Sequence, residues 1–217
     1  MDNLTTTLMT EKIIVIVRGT YGDDLIDLAN ALYAGGIRLL EITFAQDDPD
    51  RLTRTGTAIA ALIAAVPGDM AIGAGTVLST AEVDAAQNAG ARFIISPNTD
   101  QEVITYTKQQ GLLSIPGAMT PSEIASAHKA GADFIKVFPA DHLGAAYIRS
   151  VRAPLSQVKL LATSGITEQN IREFLDAGYV GAGISGCLTD KALIREKNWA
   201  EFTRRAAVFC QIAKSEA

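Results

Sequence analysis

The chain is poor in basic residues, cysteine, histidine and long apolar runs, and each shortage removes a class of function. Its 19 Lys and Arg against 24 Asp and Glu leave a formal net charge of −5 at pH 7. No basic stripe exists to meet phosphates, so neither a nucleic acid nor an anionic membrane is an expected partner; a local Arg or Lys still suits one small anion. Two cysteines, Cys187 and Cys210, make a poor disulfide framework and fit a reducing compartment. Cys187 follows a glycine-rich run and reads as a small packed hydrophobe, with a site-facing thiol as the alternative. Only His128 and His142 are present, which excludes a histidine-rich metal centre. Nowhere do about 18 apolar residues run uninterrupted, and the opening MDNLTTTLMTEK has no basic start leading into an apolar stretch. The expected location is the cytoplasm.

What the chain does have is a repeat. AGGIRLLEI, NAGARFIIS, QQGLLSIPG, KAGADFIKV and DAGYVGAGI each end a helical stretch on glycine and launch an apolar run. Glycine suits the left-handed position after a helix C-terminus, and a strand plus a helix at this period is a βα unit. Eight β-rich runs can be counted, at 12–19, 38–44, 70–76, 92–96, 112–115, 133–140, 158–162 and 179–185. Helical patterns fill the gaps, including one opened by the capping box Thr120-Pro121-Ser122-Glu123 and others at 145–152 and from near Thr167. A short helix over 4–10 precedes the first strand, and Leu193, Trp199, Phe202, Ala206 and Phe209 mark a closing amphipathic helical segment. With 217 residues, 48% of them hydrophobic, there is material for one core. The expected fold is an α/β (β/α)₈ TIM barrel as a single domain over 1–217, with an open doubly wound sheet as the alternative that periodicity alone leaves standing.

In the stretch DFIKVFPA one lysine, Lys136, sits inside an otherwise apolar strand. Burial disfavours an ammonium, and a proton-free amine in a cleft can attack a carbonyl to make a Schiff base. The bland alternative is an edge strand with Lys136 pointing to water. Alternation along the strands sends Phe134, Lys136 and Phe138 inward, together with Leu39, Glu41 and Thr43, Ile14, Ile16 and Arg18, and Leu161 and Thr163. Opposite charges inside one barrel are expensive unless each has a use, either as chemistry or as a purely structural Lys136–Glu41 pair.

These residues carry a resemblance. Glu41 in LLEITF, the run GAGTVL (73–78), Ser96-Pro97, PGAMTPSE (116–123) and KVFPA (136–140), five motifs in order along nearly the whole chain, resemble the class I aldolases of the 2-keto-3-deoxy-6-phosphogluconate and 4-hydroxy-2-oxoglutarate aldolase family. The resemblance implies a (β/α)₈ barrel, usually a homotrimer, that needs no metal or other cofactor and cleaves 2-keto-4-hydroxy acids to pyruvate and an aldehyde. It assigns Lys136 as the Schiff-base lysine and Glu41 as the general acid/base. Thr76 and Pro97 become the wall around the pyruvyl group, Arg18 an anion-binding arginine, Phe138 a packing residue beside the lysine, and Thr163 a neighbour of the substrate hydroxyl. Three departures stand out. The arginine that many members carry four residues after the glutamate is Ala45 here, followed by Gln46, so carboxylate binding falls to Thr76, backbone amides or Gln46. The usual Thr-Gly-Gly is Thr163-Ser164-Gly165, and the usual Gly-Ser is Ser185-Gly186, in the loops that form the family's phosphate site by backbone amides.

Four rival readings can be weighed. A nicotinamide fingerprint at IGAGTV (72–77) lacks its third glycine, because Leu78 stands there. Asp141-His142 suggests a metal, but two histidines are too few, and His142 reads as a loop residue near the mouth. A phosphosugar isomerase or epimerase, or a non-catalytic anion-binding barrel, would use the same fold without needing a neutral lysine.

Overall fold

The barrel is joined into a ring at a proline. The computed structural model describes residues 3–215, and its parallel strands are β1 (Ile13–Val17), β2 (Leu39–Thr43), β3 (Ala71–Gly75), β4 (Phe93–Ile95), β5 (Leu113–Ile115), β6 (Gly117–Ala118), β7 (Ile135–Val137), β8 (Leu160–Thr163) and β9 (Gly181–Ile184). Their hydrogen-bonded order is β5-β4-β3-β2-β1-β9-β8-β7-β6. The two ends of that order, β5 and β6, are one extended run interrupted only by Pro116, which has no N–H to give a ladder. On one side of this run β5 pairs with β4; on the other β6 pairs with β7. The carbonyls of Ser114 and Pro116 accept from Phe134 N at 3.3 Å and Lys136 N at 2.9 Å, so hydrogen bonds continue round the ring. The nine strands are therefore the eight staves of a (β/α)₈ barrel, one of them broken in two, and the open-sheet alternative is overturned.

The helices are α1 (Asn3–Glu11), α2 (Gly22–Ala34), α3 (Arg51–Ala65), α4 (Thr80–Asn88), α5 (Gln101–Gln109), α6 (Pro121–Lys129), α7 (Ala140–Arg152), α8 (Ile171–Ala177), α9 (Lys191–Arg195) and α10 (Trp199–Lys214). Sequence chemistry sets several ends. The Thr120 hydroxyl accepts from Glu123 N while the Glu123 carboxylate accepts from Thr120 N, completing the capping box of α6. Gly90, Gly111 and Gly131 follow helices with φ of +92°, +74° and +101°, a conformation that glycine adopts without a Cβ penalty. The closing segment is two helices rather than one, split at Asn198, whose side chain caps α10 by accepting from Glu201 N. Where the sequence predicts a helix from Thr167, the chain makes a turn in which Asn170 Oδ1 accepts from Thr167 N at 2.8 Å, and α8 starts only at Ile171. α7 begins at Ala140, five residues before the expected start, and breaks at Gly144 (φ 68°, ψ 171°).

Alternation divides the core into two layers. Ile13, Val15 and Val17, Leu40 and Ile42, and Ile135 and Val137 face the helices. Ile14, Leu39, Phe93, Ile95, Phe134 and Leu161 fill the inside, where Leu4 and Leu8 of α1 join them and close the N-terminal end. Burying a Leu, Ile or Phe side chain contributes about 1.5–3 kcal/mol. The lower part of the barrel is thus a packed apolar plug, and polar chemistry is confined to the end where the strands finish.

Candidate active site

The C-terminal ends of the strands surround a cavity of about 560 Å³. Eleven of the residues singled out in the sequence line it: Lys136 and Glu41 in the barrel, Arg18, Thr76, Pro97 and Phe138 at the strand exits, Thr163, Ser164 and Gly165 after β8, and Ser185 and Gly186 after β9; Gln46 and His142 do not. Lys136 is 8% exposed and Glu41 only 1%. The lysine points inward because β7 alternates and its neighbours Ile135 and Val137 are held by the outer layer. Edge exposure is thereby excluded for Lys136, since β7 lies between β6 and β8.

Burial pushes the Lys136 amine below the usual lysine range; the Glu41 charge opposes that shift and the Arg18 charge adds to it. Burial likewise pushes the Glu41 carboxyl above the usual carboxylate range, against the pull of Lys136 and Arg18. Both shifts run toward the uncharged forms. The purely structural ion pair is not what the geometry shows: Glu41 Oε2 is buried without a hydrogen-bond partner, and the Lys136 ammonium position is 4.9 Å from the centroid of the Phe138 ring. An orphaned oxygen inside a cavity is available to a ligand.

Around this pair the walls differ in rigidity. Arg18, exposed at the mouth, reaches Thr76 Oγ1 at 3.5 Å, and Thr76 holds a left-handed φ of 57° at the strand exit. Lys191 anchors the Arg18 segment from outside by donating to the carbonyls of Arg18 (2.5 Å) and Gly19 (2.9 Å) and to Thr20 Oγ1 (2.7 Å). Gln46 does not fit the role of carboxylate ligand that the sequence allowed it. Its Nε2 donates to Thr76 O at 2.7 Å and to Glu82 Oε1 at 3.0 Å, which occupies both amide hydrogens. Of the donors expected for a carboxylate, Thr76 and backbone amides remain.

On the opposite side Ser164 has a φ of 86°, a conformation that usually belongs to glycine, and hydrogen-bonds the Asp141 carboxylate. His142 and Ser164 together hold that carboxyl below its usual range. A Cβ on Gly165 would lie 2.3 Å from the Asp141 Cβ, so only glycine lets the loop pack this closely. His142 sits in the first turn of α7 rather than in a loop and pairs with Asp141 at 3.1 Å, so it meets the site only through that partner. Ser185 Oγ donates to Ile16 O at 3.1 Å and lies 3.2 Å from Thr189 Oγ1.

The sequence reading missed Ile166, Thr167, Gly183 and Ile184 as lining residues. Parity along β9 would have pointed to Gly183; nothing local marked the others. Cys187 both packs against the outer core and lines the cavity, so its two readings hold together, and burial pushes its thiol up.

A barrel that buries one lysine, its pKa lowered, next to one carboxyl at the strand ends has the arrangement that a class I aldolase requires. Comparison with known proteins narrows the class. Residues 4–205 match the family model described as KDPG and KHG aldolase. A probable 2-dehydro-3-deoxy-6-phosphogalactonate aldolase of Rhizobium meliloti (strain 1021) is 33% identical over 189 residues, 87% of this chain and 86% of the relative. A 2-dehydro-3-deoxy-phosphogluconate aldolase of Treponema pallidum (strain Nichols) is 36% identical over 165 residues, 76% of this chain and 75% of the relative. Among solved structures, the KDPG aldolase from Legionella pneumophila with pyruvate captured as a covalent carbinolamine superposes with a TM-score of 0.83 at 28% identity, covering 94% of this chain and 96% of that one. The chain belongs to the KDPG and KHG aldolase family and is a lyase.

Proposed function

We propose that this chain cleaves a 2-keto-4-hydroxy acid, of the 2-keto-3-deoxy-6-phosphogluconate or 4-hydroxy-2-oxoglutarate type, to pyruvate and an aldehyde, with Lys136 as the nucleophile and Glu41 as the proton shuttle. The observation that carries the reading is the pairing of opposed shifts: a lysine held below its usual range and a glutamate held above it, both buried in one cavity.

The steps follow from that pairing. The free amine of Lys136 adds to the keto carbon; the Glu41 carboxyl then gives its proton to the hydroxyl of the carbinolamine, which departs as water and leaves an iminium beside a carboxylate. The iminium accepts the electron pair as the C3–C4 bond breaks, while Glu41 takes the proton of the C4 hydroxyl. Departure of the aldehyde leaves an enamine; the same carboxyl returns the proton to C3, and water then releases pyruvate. Because the iminium is itself the electron sink, the reaction needs no Lewis acid, and we propose a metal-independent lyase. Thr76 and Pro97 hold the pyruvyl end, Phe138 packs beside the lysine, and Thr163 contacts the substrate hydroxyl. Ser164, Gly165, Ser185 and Gly186 receive the far end of the aldehyde. Extra side chains in these two loops crowd a phosphate, while Ser185 and Arg18 still offer it donors.

The proposed assembly is a homotrimer acting in the cytoplasm. Leu78, Met119 and Phe138, each about two-fifths exposed and each just past a strand end, offer apolar surface for an interface at the mouth.

Borohydride reduction in the presence of pyruvate tests the core of the proposal: it should add one covalent pyruvyl group, mapped to Lys136. Modification elsewhere, or none, would exclude the mechanism. Pyruvate release from a panel of phosphorylated and unphosphorylated keto-hydroxy acids then identifies the aldehyde half. Activity retained in EDTA and a sedimentation mass three times 22.9 kDa are the expected companions; activity lost to chelation and rescued by a divalent ion, or a monomer, would remove those two parts separately.

A further inference from the structure

The two glycines of β3 have different tasks, and the second bears on the chemistry. Gly73 and Gly75 both turn toward the inside of the barrel, with Ala74 between them in the outer layer. At Gly73 an added Cβ would fall 2.3 Å from the Phe93 ring, which belongs to the apolar plug. At Gly75 the same atom would fall 1.7 Å from Glu41 Oε1, 2.3 Å from its Cδ and 2.5 Å from its Cγ. Glu41 is paired in register with Gly73, yet its carboxyl lies over Gly75, two residues nearer the cavity. The side chain therefore leans along the strand toward the mouth, and it can do so only over a residue with no side chain. Nothing about the backbone demands glycine here, because the left-handed positions of the chain do not include Gly75.

We infer that Gly75 is a positioning residue for the proton shuttle: its missing Cβ lets the Glu41 carboxyl reach up to the cavity, with Oε2 left free of hydrogen-bond partners. This rests on Glu41 being the acid/base. Thr43, opposite Gly75 in the pairing, has a buried hydroxyl without a partner, and Glu41 Oε2 has none either. No protein hydrogen bond fixes that oxygen, and steric fit against β3 is what locates the carboxyl.

Gly75→Ala separates this from a general packing role. Three rates are measured: borohydride trapping of the pyruvate imine, exchange of pyruvate methyl hydrogens in D₂O, and cleavage. Displacing the carboxyl should lower exchange and cleavage by about 10²-fold or more, the usual worth of a positioned acid/base, with trapping reduced several-fold at most. In a Glu41→Ala background the space is vacant, so adding Gly75→Ala should change neither the residual rate nor the melting temperature. If the single variant fails to fold, a folded Glu41→Ala/Gly75→Ala protein with the residual rate of Glu41→Ala carries the same conclusion. Exchange and cleavage within about threefold of the parent, or an equal loss in both backgrounds, would overturn the assignment. Glu41→Gln is run alongside: full activity there would sink the acid/base reading, whereas a damaged Glu41→Gln beside an intact Gly75→Ala would sink only the role of Gly75.

Discussion

The two ends of the cavity are built differently. At the barrel end, Lys136 and Glu41 are buried on strands, fixed by alternation and by the apolar plug beneath them. At the loop end, Ser164, Gly165, Ser185 and Gly186 lie past the ends of β8 and β9, half-buried or exposed, and the first two are shaped by left-handed backbone and by the Asp141 carboxylate. Burial can shift a pKa only where water is excluded, so the chemical step belongs at the first end. Recognition of the aldehyde tolerates water, and loops accept substitution more readily than strands. With the proposed roles, that difference accounts for a lysine and a glutamate that match the family pattern beside loops that depart from it. Changes at the barrel end should therefore alter the reaction itself, and changes at the loop end should alter which aldehyde is used.

The largest contrast comes from Lys136→Ala, which should abolish both pyruvate trapping and turnover. Turnover comparable to the parent would end the distinction, because the barrel end would then hold no chemistry. Glu41→Gln comes next. Cleavage should fall by about 10²- to 10⁴-fold while the imine still forms, slowly, in a borohydride trap; equal loss of both would mean that the carboxyl serves the fold rather than proton transfer.

A smaller effect concerns stability. The Lys136 pKa is lowered on folding by burial, so the native state gains from this group only above the unfolded pKa of about 10.4 and loses that gain as pH falls toward the folded value. Lys136→Met should thus raise the melting temperature at pH 7 by about 2–4 °C, equivalent to about 1 kcal/mol in a chain of this length, with the advantage shrinking as pH rises toward about 10.4 and gone above it. A constant or reversed difference across that window would show that the amine is not desolvated. Smallest of all is Ser164→Gly. It relieves about 1–2 kcal/mol of left-handed strain and removes the hydroxyl that favours the Asp141 carboxylate, two opposed effects that should leave thermal stability little changed. Its KM for the aldehyde in the condensation direction should change several-fold with pyruvate trapping unaltered; a change in trapping would erase the division between the two ends.

Much of this barrel can be read from local pattern, and the exceptions have physical causes. The glycine that follows five of the helices and the β-rich runs locate all eight staves, because the left-handed cap and the alternating face are properties of a few neighbouring residues. Pro116 divides one stave because it lacks an N–H, a fact visible in the sequence whose result depends on which strands lie on either side. Gln46 was open to a ligand role until its two amide hydrogens were found on Thr76 and Glu82, 30 and 36 residues away. His142 is turned from the mouth by Asp141, its own neighbour, while the contacts that hold Asp141 come from the loop after β8.

The order of the residues alone determined that Lys136 and Glu41 face the same side as Phe134 and Leu39, since a strand alternates whatever surrounds it. Only the closed ring decided that this side is an interior, and only the fit between β2 and β3 decided that the carboxyl lies over Gly75. Alternation is a property of one strand; desolvation and steric clearance arise when distant strands meet.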